Sequence, residues 1–119
     1  ELRGIVLKTF GLADVLRAAL LAQAPSVRCA FIYGSVAKQT DTAGSDVDLL
    51  LVGENLSLNE ILSLLLPLEA QLGRKINPNC YTPAEYAKRV AEPDSFVNRV
   101  LAQATLPLIG DVDAPAGAG

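Results

Sequence analysis

Asp46 and Asp48 stand two residues apart at the head of an apolar run, residues 46–52. Ten residues before them, Gly34-Ser35 closes another apolar run. Side chains at i and i+2 of a β-strand share one face, about 7 Å apart along the chain. Two like charges at the mouth of a sheet repel each other. They become tolerable when a divalent cation neutralises them, and hard carboxylate oxygens are what Mg²⁺ or Mn²⁺ takes. Gly34 lets a phosphate approach the backbone, and Ser35 opens a short helical segment whose free N–H groups favour an anion. Lys38, one turn after Ser35, adds a positive charge near that anion. The metal-ligand and catalytic candidates are therefore Asp46 and Asp48, and the nucleotide-binding candidates are Gly34, Ser35 and Lys38. Together they read as a site for a nucleoside triphosphate and its metal.

The elements that must position these residues are an alternation of helices and strands. Leu12, Val15, Leu16, Ala19 and Leu20 mark an amphipathic helix over residues 11–24, which Pro25 ends. Residues 1–10 read as a helix end or a connector from an upstream segment. Residues 27–33 form a first strand, residues 35–39 one or two helical turns, and residues 40–45 a turn-rich loop. The strand at 46–52 is almost continuously apolar after its two aspartates, as expected when both faces are covered. Ser57 and Glu60 have the spacing of a capping box that opens a long helix, and Pro67 is expected to kink or split it. Residues 74–81 form a third strand, at an edge because of Pro78. Thr82-Pro83-Ala84-Glu85 caps a helix to about residue 91. A further helix runs to about 104, and residues 106–109 add a short strand. Residues 111–119 are rich in Gly, Ala and Pro and are expected to be mobile.

At 119 residues the chain is one domain with room for a core. Half of it is hydrophobic with only three Tyr, three Phe and no Trp, so that core is aliphatic. The net charge of −3 and the scatter of ten basic residues exclude a nonspecific grip on nucleic acid. Arg74, Lys75, Lys88, Arg89 and Arg99 read as a solvated face by default, or as part of a partner surface. With no His, zinc sites built on histidine and histidine acid–base chemistry are excluded from within the chain. Cys29 and Cys80 fall in apolar strand contexts and read as buried free thiols, which fits the cytoplasm. No run of eighteen apolar residues marks a membrane span. There is also no Met, so Glu1 reads as an internal position of a longer protein.

The stretch YGSVAKQTDTAGSDVDLLLV resembles the signature of the polymerase-β-like nucleotidyltransferase superfamily: hydrophobic, Gly, Ser, about ten residues, then Asp-hydrophobic-Asp-hydrophobic. The chain is most similar to the minimal nucleotidyltransferases, over roughly residues 12–111. The resemblance implies an α/β nucleotidyltransferase fold, a small mixed β-sheet flanked by helices. It implies a connector at 1–11, the transferase domain at 12–110 and a flexible tail at 111–119. A winged-helix module upstream would fit such a connector. The resemblance also implies a third carboxylate on the strand after Arg74-Lys75. Here that position matches Asn77, with Asn79 on the same face. An Asn carbonyl can ligate a hard cation, but it adds no charge and cannot serve as a base.

The implied function is metal-dependent transfer of a nucleoside monophosphate from an NTP, ATP foremost, to a hydroxyl acceptor. The metal is Mg²⁺ or Mn²⁺. In similar minimal transferases the acceptor can lie on a partner protein, as in toxin–antitoxin pairs with an all-helical partner, and the domain can form a homodimer. Asn77 keeps a second reading open: a degenerate domain that senses nucleotide or binds protein within a longer regulator.

Overall fold

The structure is a computed structural model that describes residues 2–34, 37 and 45–110; for residues 2–10 it describes the backbone alone. Its elements are α1 (Leu2–Gln23), β1 (Val27–Tyr33), β2 (Val47–Gly53), α2 (Leu58–Leu72), β3 (Ile76–Tyr81), α3 (Pro83–Ala91), α4 (Phe96–Leu101) and β4 (Leu106–Ile109). The strands form one sheet in the order β3-β2-β1-β4. β1 runs antiparallel to β2 and β4, while β2 and β3 are parallel. A parallel pair needs a crossover, and α2 supplies it. The fold is thus α/β with a mixed sheet.

Both faces of the sheet are covered, which is why β2 is apolar at every position after its aspartate. Val47, Leu49 and Leu51 point to one face and pack with Leu12, Leu16 and Leu20 of α1 and Ile61 and Leu65 of α2. Leu50 and Val52 point to the other, with Phe31 and Tyr33 of β1, Tyr86 of α3, and Val97 and Val100 of α4. Period-two alternation in a strand divides one hydrophobic run between two cores. Asp48 shares the parity of Leu50 and Val52, so it belongs to the face covered by α3 and α4.

The helix ends follow local chemistry. Ser57 accepts a hydrogen bond from the Glu60 N–H, and Gly73, in left-handed conformation at φ 67°, donates to the Glu69 carbonyl and stops α2. Thr82 and Glu85 form a reciprocal capping box with Pro83 at the first helical position. Asn98 clips α3 to α4 by donating to the Val90 and Glu92 carbonyls.

Four expectations change. α1 begins at Leu2 and not at residue 11, because no breaker stronger than Gly4 and Gly11 interrupts it, and each glycine costs a helix only about 1 kcal/mol. Pro67 does not split α2. Pro67 and Ser63 both face solvent, where water can satisfy the carbonyl that proline leaves without a donor. Cys80 is only half-buried, while Cys29 is buried; both are free thiols, and burial raises the Cys80 thiol above its ordinary pKa. Asp46 lies one residue before β2, and Arg74 and Lys75 lie before β3. Among the described residues no helix is long and apolar enough to cross a membrane.

Candidate active site

Asp48 is the second residue of β2, placed between two neighbours by the register of the sheet. Tyr33 of β1 lies opposite on one side and Asn77 of β3 on the other. Asp46, just upstream, is exposed, and Asp48 is half-buried. The Asn77 side-chain amide donates to both carboxylates, to Asp46 Oδ2 at 3.2 Å and to Asp48 Oδ1 at 3.4 Å. The three side chains therefore converge on one point at the open end of the sheet. An NH₂ group between two carboxylates offsets their repulsion with two N–H dipoles.

Gly34 closes the site on the β1 side. Its φ of +79° lies in the left-handed region that L side chains rarely adopt. A Cβ built there would stand 2.5 Å from Asp48 Oδ2, closer than real contacts allow. Glycine is thus required twice, for the backbone turn and for the approach of the carboxylate. Ser35 and Lys38 lie outside the described residues.

Two features hold Asp46 in place. The Val47 N–H donates to the Lys75 carbonyl at 2.8 Å, and Arg74 Nε donates to the Ser45 carbonyl at 2.9 Å. Arg74 is 8% exposed, which contradicts its reading as part of a solvated face. Its guanidinium is tied to the backbone just before β2 through the Ser45 carbonyl, 29 positions away, and a sequence window does not display that. A guanidinium in such a place acts through the backbone it fixes. Arg74→Ala is expected to cost about 2 kcal/mol of stability, since bonds to charged donors contribute about 1.5–3 kcal/mol. Arg74→Lys should recover little of it, because an ammonium lacks the planar fork. Urea denaturation of the three proteins checks this, and equal midpoints would remove Arg74 from the site's support.

Behind the aspartates stands an aromatic wall. The Tyr33 hydroxyl accepts a hydrogen bond from Asn79 Nδ2 at 2.8 Å, reaching across β2 to β3. Burial, and then the negative charge of Asp48, push the Tyr33 phenol above its ordinary pKa, although the Asn79 bond pulls the other way. It remains a neutral hydroxyl at physiological pH. Phe96, at the start of α4, meets the Tyr33 ring edge-on at 5.9 Å and is 40% exposed. Sequence reasoning placed Asn79 on the Asp face but did not single out Tyr33 or Phe96. The aromatic pair in YGS and SFV was visible, but its meeting depends on tertiary packing.

The donor set suits a hard divalent cation. Two carboxylates converge, and rotating the Asn77 amide would present its Oδ1 to the same point as a third oxygen. Among the described residues, no cluster of three or more acidic or cysteine side chains joins them. An open cavity of about 460 Å³ lined by Gln23, Asn59, Glu60, Ser63 and Leu64 includes neither aspartate and brings no comparable group of ligands together.

A sequence model of the family described as "Polymerase beta, Nucleotidyltransferase" matches residues 18–89, more than half of the chain. No curated protein matches the sequence. Among solved structures, a toxin–antitoxin protein with AMP-PNP is similar at a TM-score of 0.64 and 17% identity, over 89% of this chain and 82% of that one. A toxin–antitoxin MntA–HpeT variant with two aspartates replaced by glutamate has a TM-score of 0.64 at 12% identity, with the same coverage of 89% and 82%. A complex of the tri-AMPylated HEPN toxin of Shewanella oneidensis with the MNT antitoxin gives 0.60 at 13% identity, over 88% of this chain and 75% of that one. At these identities the likeness is one of fold.

Proposed function

The chain belongs to the polymerase beta nucleotidyltransferase family, and on that footing we propose that it moves a nucleoside monophosphate from an NTP to a hydroxyl on a partner protein. The observation that carries the reading is the convergence of Asp46 and Asp48 on one Asn77 amide, beside the glycine turn at Gly34. Asp46 and Asp48 would hold a divalent cation, Mg²⁺ or Mn²⁺, with Asn77 as a neutral third oxygen. When bound, such an ion supplies charge neutralisation at the transferred phosphoryl group and orients it. Gly34 lets the phosphate chain approach the backbone, and Ser35 and Lys38 are assigned to its β and γ groups. Arg74 keeps Asp46 in register by holding the Ser45 carbonyl.

A protein acceptor is supported by the neighbours. One of them is a complex in which the toxin carries AMP, and another was solved with AMP-PNP. We keep the transferase unit at residues 12–110 and place it in the cytoplasm, where free thiols such as Cys29 and Cys80 persist. The test is incubation with ATP labelled at the α-phosphate, Mg²⁺ and a cell lysate of the source organism. Label on a protein band that disappears in Asp48→Asn is the expected result. Metal-dependent ATP binding with no transfer to any protein would overturn the transferase reading.

That last outcome describes the second reading, a nucleotide sensor, which Asn77 favours because it brings no charge or base to the third position. Asn77→Asp separates the two. A third negative charge beside the cation is expected to tighten Mn²⁺ binding by about tenfold, or ~1.4 kcal/mol, measured by calorimetry. A sensor so altered stays inert towards acceptors, whereas a transferase becomes faster. Unchanged Mn²⁺ affinity would remove Asn77 from the ligand set.

A further inference from the structure

We propose that Phe96, Tyr33 and Asn79 form a nucleobase subsite that selects adenine, with Phe96 as the stacking surface and the Asn79 amide as the reader. The inference rests on the nucleotide reading of the Asp46–Asp48 site and goes beyond it by naming the residues that choose the base.

The geometry runs along β3. Asn77 lies beside Asp48 in the parallel register and Asn79 beside Leu50, so Asn79 is one residue pair further into the sheet. That step is about 7 Å at ~3.3 Å per residue, a distance a ribose can bridge between a phosphate at the aspartates and a base at Asn79. Both amides are on the aspartate face, because Asn77 reaches the carboxylates and Asn79 reaches Tyr33.

Phe96 belongs to the same wall. Its ring meets Tyr33 edge-on, and it is the large apolar residue of α4 that is left exposed, while Val97 and Val100 of the same helix are buried. Tyr33 is held on both sides, by Phe31 as well as Phe96, and by the Asn79 hydrogen bond at its tip. The wall is therefore a fixed surface with one apolar face turned outward. Base–aromatic stacking contributes about 1–3 kcal/mol per base.

Asn79 supplies the selectivity. One of its N–H groups goes to the Tyr33 hydroxyl. An amide has a second N–H and a carbonyl oxygen. That remaining donor–acceptor pair matches adenine, which offers an acceptor at N7 and a donor at N6. Guanine offers acceptors at both N7 and O6 and opposes the amide oxygen.

The chain has no tryptophan, so Phe96→Trp installs a single fluorescent reporter on the rim. Mg·ATP is expected to quench it, while magnesium tripolyphosphate leaves it unquenched yet competes with ATP for the site. Wild-type protein should bind Mg·ATP at least about tenfold tighter than Mg·GTP. Asn79→Ala should bring that ratio close to one with tripolyphosphate affinity unchanged, and Phe96→Ala should weaken both nucleotides about tenfold. Thermal melts confirm that each variant is folded. Equal ATP and GTP affinity in the wild type, or a ratio untouched by Asn79→Ala, overturns the subsite and leaves the phosphate–metal site standing. Failure of both tripolyphosphate and ATP to bind overturns the nucleotide reading itself, and the subsite with it.

Discussion

Gly34→Ala is expected to lower stability by about 2–5 kcal/mol and to remove measurable nucleotide binding. Two costs add. A left-handed backbone costs an L residue about 1–2 kcal/mol, and Gly34 sits at φ +79°. The new methyl would also meet Asp48 Oδ2 at 2.5 Å, and overpacking costs typically about 1–3 kcal/mol. Relief of the clash must push the Asp48 carboxylate away from Asp46 and Asn77 or open the turn, and either change dismantles the site. A double-mutant cycle separates the two costs. In an Asp48→Ala background the methyl meets no carboxylate, so Gly34→Ala should then cost only the backbone part. Urea denaturation of the four proteins reads the cycle. Additive costs would show that the carboxylate and the turn are not in contact.

The Asp46→Asn/Asp48→Asn protein should lose the metal dependence of nucleotide binding. In the wild type, Mg·ATP is expected to bind about a hundredfold tighter than ATP alone, close to 3 kcal/mol. Without metal the triphosphate meets two negative charges. With metal, Asp46 and Asp48 would hold the cation, whose charge would attract the phosphates, and each such contact is worth several kcal/mol near a protein surface. The double substitution removes repulsion and metal seat together. Metal-free ATP should then bind slightly better and Mg·ATP much worse. Calorimetric titration with Mg²⁺ and with a chelator decides it, and equal affinities in the wild type would falsify the metal site.

The parts of this site legible in the sequence were those set by short-range rules. Strand parity put Asp46 and Asp48 within reach of one side chain, while Asn77 as their neighbour came from the family resemblance, which expects a third ligand after Arg74-Lys75. The apolar run of β2 announced a strand covered on both faces. What stayed hidden depends on distant pairings. Tyr33 and Asn79 are 46 positions apart, and the Arg74–Ser45 bond spans 29. Arg74 in particular looks like any surface arginine until its bond to the distant Ser45 carbonyl is seen. Pro67 does not split α2, and the Ser63 carbonyl it leaves without a donor lies on the solvent side, where water can serve it; that exposure is a tertiary fact.

If Asp46 and Asp48 hold a cation as proposed, the Asn77 amide also bears on the protein before that cation binds. Where two carboxylates face each other unassisted, the apo fold is strained, and stability depends on metal supply. Here the Asn77 amide donates to both carboxylates and offsets part of their repulsion. An arriving cation must then exchange with a hydrogen-bonded group, and that exchange is most favourable when triphosphate oxygens complete the coordination. Metal and nucleotide should accordingly load as a pair. The side chain that withholds a charge from the cluster thus makes the site responsive to Mg·NTP as one species, with free cation alone a weak stimulus.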